Sequence, residues 1–395
     1  MATKKFDIVI VGAGLIGSAL ALALVRASTR KGKSLQVAVV ERSSQLQLNE
    51  MPNQRVIALG KVASDLLTSV GVFDQLTTAF SNPYERMFIW DENSNGELEF
   101  SAEEHKLPLL GYMVDSVQCT LLLQREVEQT EGITTYYQSD ALCFSRTNRS
   151  IAELTLPDVR LQAPIMIAAD GASSWLRKQA KIFANHHSYH QRGIVAKIST
   201  EEPHQNTAWQ RFLSEGPLAL LPVEKNQSSI VWSVSNHQAT ELMNLSQVAF
   251  EQRLTQALGK KLGKVSLLSQ RLSFPLTSQQ AQSYFVRNVG LVGDAAHSIH
   301  PLAGQGANLG FKDVVALVHI LTDESVTSLS DVRLLHRYQK LRKADNQQTD
   351  IVMTALHYAY RESMPAWLAV RGVGMNAVDR SKALKAIFVN QAIGL

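Results

Sequence analysis

Short apolar runs that end in glycine recur along the chain. Residues 6–11 read FDIVIV, rich in β-branched side chains, and predict a strand buried on both faces. Gly12-Ala13-Gly14-Leu15-Ile16-Gly17 follows at once, then a helical pattern over 18–26 and a second strand over 35–40 that ends in Glu41. Residues 163–169 (APIMIAA) form another buried run, closed by Asp170-Gly171 before a helix with Arg177 in its first turns. Residues 289–292 form a third, closed by Gly293-Asp294. An irregular loop with Pro301, Gly304 and Gly306 follows. A helix is predicted from near Asn308, where Leu309, Val314, Leu317, Val318 and Leu321 keep helical spacing. Both later runs are expected to return to the sheet begun at 6–11.

The stretches between are less uniform. Arg55 is the cation entering a helix predicted over 57–67. Residues 84–100 predict a hairpin around Asn95-Gly96. A strand at 111–114 leads to a helix over 117–130, and 133–137, 141–145, 151–156 and 159–161 read as a small meander. From 193 to 275 the pattern turns strand-like, at 193–198, 209–213, 218–222 and 230–234, with one helix over 247–258 and an extended stretch over 264–274. Beyond 329 it is helical, interrupted at Pro365. This tail mixes Arg371, Arg380, Lys382 and Lys385 with apolar positions, so it either packs on the body or lies against a bilayer. The fold class that results is α/β. It comprises a Rossmann-like nucleotide domain (1–75, 98–182 and 276–323), an inserted β-sheet substrate domain (76–97 and 183–275) and a C-terminal helical region (324–395).

Composition narrows the classes. A chain of 395 residues is too long for one ordinary core, and 45% hydrophobic with 19% charged residues is a globular balance. A scattered formal charge of +4 does not argue for nucleic acid, though it suits the edge of an anionic membrane. Cys119 and Cys143 have no metal or CxxC spacing and fit a reducing compartment; a cytoplasmic protein is expected, with a peripheral place on the inner membrane open to it. His186, His187 and His190 lack cysteine or carboxylate partners in register, so no metal is expected. The first apolar run ends in a glycine turn rather than a cleavage site, and no run reaches the length of a membrane span.

The glycine segments carry the chemistry. Strand, GxGxxG, helix, strand and acid stand in the order a dinucleotide requires. Gly12 permits the turn, Gly14 lets a pyrophosphate approach the backbone, Gly17 lets helix and strand pack, and Glu41 suits ribose hydroxyls. Asp170 reads either as a helix N-cap or as a ligand group, and Arg55 either as a solvated cation or as a clamp on the dinucleotide. A carboxylate at Asp294 before a glycine-rich helix start suits a flat, polar, partly anionic ligand. Trp209, Phe212, Leu218, Leu220 and Trp232 either line an apolar cavity or form core.

Taken together and in this order, the three segments resemble the FAD-dependent aromatic-ring hydroxylases, the group A flavoprotein monooxygenases, over residues 6 to about 320. A narrower resemblance is to the ubiquinone-biosynthesis hydroxylases. It is carried by Gly293-Asp294-Ala295-Ala296-His297 with the stretch from His300-Pro301 to Leu309-Gly310, and by Arg55-Val56-Ile57-Ala58-Leu59. Trp209-Gln210-Arg211-Phe212, the stretch from Gly216-Pro217 to Leu221-Pro222 and the closing residues from Arg371-Gly372 to Gly394-Leu395 carry it further, over nearly the whole chain. The resemblance implies a p-hydroxybenzoate hydroxylase-like fold. In it Gly12, Ala13, Gly14, Gly17, Glu41 and Arg42 hold the ADP half of FAD and Arg55 lies on the flavin side. Asp170-Gly171 serve FAD and a visiting nicotinamide, Gly293-Asp294 hold the ribityl chain, and Pro301, Gly304, Gln305, Gly306, Ala307 and Asn308 line the flavin ring. At Val114-Asp115-Ser116 the family usually has asparagine or glutamate, so Ser116 is given no role.

The implied reaction uses NAD(P)H and O₂. Reduced flavin gives a C4a-hydroperoxide whose distal oxygen is attacked by an electron-rich ring, so the protein must orient the ring and exclude water. His297 and His300 could assist phenol deprotonation or simply brace the loop. The resemblance implies a polyprenylated phenol or quinol as substrate, with Phe212, Leu220, Pro222 and Trp232 lining its site and a membrane surface within reach. The alternatives are a small soluble phenolic, which would need a charged anchor such as Arg211, and a non-catalytic flavin-binding member of a ubiquinone-biosynthesis complex. Protein partners and a homo-oligomer stay open, and the WxWxI motif of flavin halogenases is absent.

Overall fold

Five short apolar strands, each closed by a polar or glycine-bearing turn, assemble the nucleotide-binding sheet. They are β1 (Ile8–Val11), β2 (Val37–Val40), β3 (Ile133–Tyr136), β4 (Ile165–Ala168) and β5 (Val289–Leu291). The computed structural model describes residues 1–47, 55–147, 150–300, 304–361 and 364–393. Among these, the sheet runs Phe285–Val286, β5, β4, β1, β2, β3, parallel throughout except for its first member. β1, β2, β4 and β5 are buried at every position, in a core shared with the helices Leu15–Arg30 and Gln305–Leu321 and the strands Ala152–Thr155 and Val159–Ala163. Both later glycine runs therefore return to the sheet begun at β1.

β3 departs from the expected meander. The helix Ser116–Gln129 crosses over the sheet and delivers β3 parallel to β2, a βαβ step in which the local strand pattern has no say. The meander itself holds Cys143–Arg146, Ala152–Thr155 and Val159–Ala163, and Ala2–Lys5 pairs in parallel along its edge. The helix predicted over 57–67 is also corrected. Val56–Leu59 is a strand antiparallel to Gly111–Asp115, and the helix begins only after Gly60, as Lys61–Ser69.

The large mixed sheet joins Ala184–Thr200, Thr207–Leu213, Gly216–Glu224, Gln227–Ser235 and Leu272–Ala281 to the hairpin Arg86–Asp91/Glu97–Ser101. The hairpin stays whole in that sheet, so the boundary drawn between 97 and 98 cuts through a paired strand. The helices Asn236–Asn244, which the sequence reading did not anticipate, and Gln247–Ala257 pack on one face.

Five helices matter for the site and tail: α1 (Leu15–Arg30), α2 (Gln305–Leu321), α3 (Val332–Arg361), α4 (Pro365–Arg380) and α5 (Lys382–Ile393). Leu334, Leu335 and Tyr338 of α3 share the nucleotide-domain core, so that core continues past residue 323. The tail packs on the body through buried charge. Arg371 grips Asp91 with Nε donating to Oδ2 (2.9 Å) and Nη2 to Oδ1 (2.8 Å), and Lys385 pairs with Glu104 and Asp379.

Candidate active site

β1 runs into a turn that only glycine fits. Gly12 has φ +108°, and a Cβ there would lie 2.4 Å from the Ala169 carbonyl oxygen. A Cβ on Gly17 would meet the Gly12 carbonyl oxygen at 1.9 Å, so β1, α1 and the end of β4 close to backbone contact. Gly14 is different: it is exposed, and a Cβ there would meet nothing within 4 Å. α1 starts from Gly14 without a side-chain cap, so its first N–H groups face open space.

The Ala13 peptide is fixed from three sides. Its N–H donates to Glu41 Oε2 (2.8 Å), and its carbonyl accepts from Ser18 Oγ (2.9 Å) and from the buried Gln124 Nε2 (2.7 Å). Glu41 Oε1 accepts from the Ser43 N–H (2.9 Å), which leaves each carboxylate oxygen a lone pair for a ligand hydroxyl. Arg42 beside it is exposed.

At the end of β4, Asp170 Oδ2 accepts from the N–H groups of Trp175 (2.7 Å) and Leu176 (3.1 Å), a helix-start role. Its Oδ1 is buried and has no partner among the described residues, a position from which it could accept from a ligand. Gly171, at φ +78°, also faces open space. Arg177 is 3% exposed; it donates to the carbonyls of Ala295 (2.8 Å) and Ala172 (2.9 Å), tying this segment to the one after β5. Burial lowers the pKa of that guanidinium below its ordinary value, and the Asp170 charge pulls the other way.

After β5, Gly293 turns at φ +56° against Ile16 of α1, and Asp294 is exposed in a run otherwise buried or half-buried from 289 to 300. The turn is held at both ends: Gly293 N–H donates to Asp313 Oδ2 (3.0 Å), and the Asp294 carbonyl accepts from Gln279 Nε2 (2.7 Å). α2 begins at Gln305, three residues before the position the sequence indicated, with Gly304 as an uncapped left-handed N-cap at φ +63°. A Cβ on Gly306 would meet nothing within 4 Å. Ala307 is half-buried against the core. The buried Asn308 amide is spent within the protein, accepting from Gly60 N–H (2.9 Å) and donating to the Ala58 carbonyl (2.9 Å). It fastens the start of α2 to Val56–Leu59. Pro301 and the side chain of Gln305 lie outside the described residues.

Arg55 is exposed next to this region, and its carbonyl accepts from the Ser116 N–H (3.1 Å) and Oγ (3.0 Å). Asp115 caps its helix through the N–H groups of Val117 (2.8 Å) and Gln118 (3.1 Å); burial raises its pKa, partly offset by those two bonds.

His297 is 2% exposed, its Nε2 lies 2.6 Å from Asp313 Oδ2, and the Tyr284 ring stacks on it at 5.8 Å. This is a bracing geometry. His300 is fully buried, edge-on to Tyr189 at 4.6 Å. Asp313 itself accepts from Arg342 Nε (2.9 Å) and Asn346 Nδ2 (3.3 Å) on its other oxygen. Burial pushes the Asp313 carboxyl up, but the His297 and Arg342 charges and hydrogen bonds outweigh it and hold the pKa below the usual carboxylate range. The motif reading missed Asp313, although its spacing from Leu309 and Leu317 puts a carboxylate in the apolar stripe of α2.

The apolar candidates divide by strand alternation. Leu220 and Trp232 belong to the core between the large sheet and its two helices, and Pro222 alternates onto the same side. Phe212 points to the opposite face and stacks on Tyr360 of α3 at 3.6 Å. Arg211 is half-buried on the side of the sheet that the two helices cover, where Nη1 donates to the Ala257 carbonyl (2.8 Å) at the end of a helix.

These residues fit FAD. Open space lies over Gly14, Gly171 and Gly306, two helix N-termini are uncapped, and the carboxylates of Glu41, Asp170 and Asp294 retain unused acceptor positions. Comparison with known proteins agrees. The chain is 32% identical over 400 residues to 3-demethoxyubiquinol 3-hydroxylase of Escherichia coli (strain K12), covering all of both chains. It is 30% identical to the mitochondrial ubiquinone biosynthesis monooxygenase COQ6 of Xenopus tropicalis, covering 96% of this chain and 91% of that one. In three dimensions it is similar to Pseudomonas aeruginosa PqsL in complex with 2-aminobenzoylacetate (TM-score 0.77, 20% identity, 95% of this chain and 100% of that one). It is also similar to p-nitrophenol 4-monooxygenase PnpA from Pseudomonas putida DLL-E4 (TM-score 0.76, 14% identity, 100% and 99%), a likeness of fold. The FAD binding domain family matches residues 5–350, and the chain belongs to that family of FAD-dependent monooxygenases.

Proposed function

We propose that this protein is a FAD-dependent monooxygenase that hydroxylates the aromatic ring of a polyprenylated phenol or quinol in ubiquinone biosynthesis. The observation that carries the reading is the full-length match to a 3-demethoxyubiquinol 3-hydroxylase. When bound, FAD supplies the redox and oxygen-transfer chemistry, with NAD(P)H and O₂ as co-substrates. The chain supplies position and electrostatics. Gly12 to Gly17 and Glu41 would hold the ADP half, and Asp170 and Asp294 would accept from hydroxyls of the chain that links it to the flavin. The uncapped start of α2 offers its positive end to negative charge on the flavin ring. Arg211 lies on the helix-covered side of the large sheet, away from the face of Phe212, which weighs against its anchoring a small soluble anion.

A prenyl tail requires access from lipid, and α4 and α5 support a bilayer-facing surface. Their charges Arg371 and Lys385 point inward, while Trp367 (40% exposed), Val370 (59%), Val373 (70%), Leu384 (43%) and Phe388 (40%) point outward. Among the described residues of both helices, the charges left exposed are Arg380 and Lys382, which suit anionic lipid. No described helix is long and apolar enough to cross a membrane. The test is NAD(P)H oxidation coupled to product formation. It should rise with a prenylated phenol carried in anionic vesicles and not with simple benzoates; stimulation by benzoates alone overturns the reading.

A further inference from the structure

The Gly293-Asp294 turn is held from behind by side chains outside every glycine motif. Asp313, two turns into α2, is fully buried and has both oxygens occupied. Oδ2 receives the Gly293 N–H and faces His297; Oδ1 receives Arg342 and Asn346 of α3. Arg342 Nη2 also donates to Asn346 Oδ1 (2.6 Å), one helical turn on, so the guanidinium is locked before it meets Asp313. On its other side Gly293 is wedged against Ile16 of α1. The turn that presents Asp294 is thus gripped between α1 and a charge network that ends in α3.

We propose that Asp313, clamped by Arg342, is a positioning residue of the cofactor site: it fixes the Gly293 N–H and thereby aims the Asp294 carboxylate at the ligand. This rests on reading the site as one for FAD. A network that merely glued α3 to α2 would matter equally for every ligand. A positioning role makes a sharper demand, because the ADP half of the cofactor is received by the backbone of Gly12 to Gly17 and by Glu41, none of which shares a hydrogen bond with Asp313 among the described residues.

The experiment titrates apoprotein with FAD and, separately, with ADP. Asp313→Asn should weaken FAD by about tenfold or more, on the scale of one lost charged hydrogen bond, and leave ADP binding unchanged. Asp294→Ala should weaken FAD similarly, and the double variant should add little, since both act through one carboxylate. Equal losses of ADP and FAD, or fully additive losses, overturn the proposal. Should Asp313→Asn not fold, Arg342→Lys is read by the same criteria; it keeps the charge but not the fork that spans Asp313 and Asn346. Wild-type protein that takes up no FAD overturns the underlying reading as well, whereas wild-type binding without the FAD/ADP contrast sinks this inference alone.

Discussion

Replacing Gly14 with alanine separates the structural from the ligand-binding meaning of the GxGxxG turn. Nothing in the protein lies within 4 Å of the added methyl, and φ −72°, ψ −171° is backbone that alanine adopts without strain. The apoprotein should therefore be unharmed, or gain about 0.4–1 kcal/mol from a less flexible unfolded chain. The methyl instead occupies the space before the uncapped N–H groups of α1. Keeping one phosphate oxygen from one N–H forfeits a hydrogen bond to a charged group, about 1.5–3 kcal/mol. That is roughly a 10- to 150-fold rise in the dissociation constant for FAD. Gly12→Ala is the contrast: its methyl would sit 2.4 Å from a backbone oxygen at φ +108°, so fold and cofactor should be lost together. Flavin fluorescence titration and thermal melting of the apoprotein read the two effects separately. A Gly14→Ala protein that melts well below wild type yet binds FAD as tightly would refute the reasoning.

Three further outcomes follow from the buried charges and the tail. Arg371→Met leaves Asp91 uncompensated and should cost about 3–5 kcal/mol, most of it recovered by adding Asp91→Leu; urea unfolding checks this, and a single-variant cost below about 1 kcal/mol contradicts it. Asp313 has a depressed folded-state pKa, with Arg342, His297 and Asp345 in the same network. Its contribution should be complete above its unfolded value of about pH 4 and vanish as pH falls through the lower folded value. The stability gap between wild type and Asp313→Asn should accordingly narrow in acid, and a gap constant from pH 7 to pH 2 would contradict this. Val373→Glu should abolish flotation with anionic vesicles while sparing turnover of a short-tailed phenol; unchanged flotation removes α4 from the contact.

The nucleotide fold was readable because its signals are local. A short buried run, a glycine with positive φ just after it and a following helix sit within about twenty residues of one another, and β1, β4 and β5 each carry that order. What the sequence hid depends on distant partners. Val56–Leu59 has helix-compatible residues and becomes a strand because Gly111–Asp115 lies beside it. Alternation shows that Leu220 and Phe212 face opposite ways, but the unforeseen helix Asn236–Asn244 helps cover the Leu220 side. The pairing of Asp313 with Arg342 spans a helix boundary that no motif crosses. Asn308 stands where the sequence starts its helix, yet its amide serves the strand Val56–Leu59.

The central sheet sets strands that are far apart in sequence side by side: β1 lies beside β4, and β4 beside β5. During synthesis at about 5–20 residues per second, Gly12 leaves the ribosome roughly 15–65 s before Arg342. Through that interval β1 and β4 have an uncovered edge and no complete binding cleft. A transcript cut short before Arg342 should yield a product that lacks the clamp on Asp313.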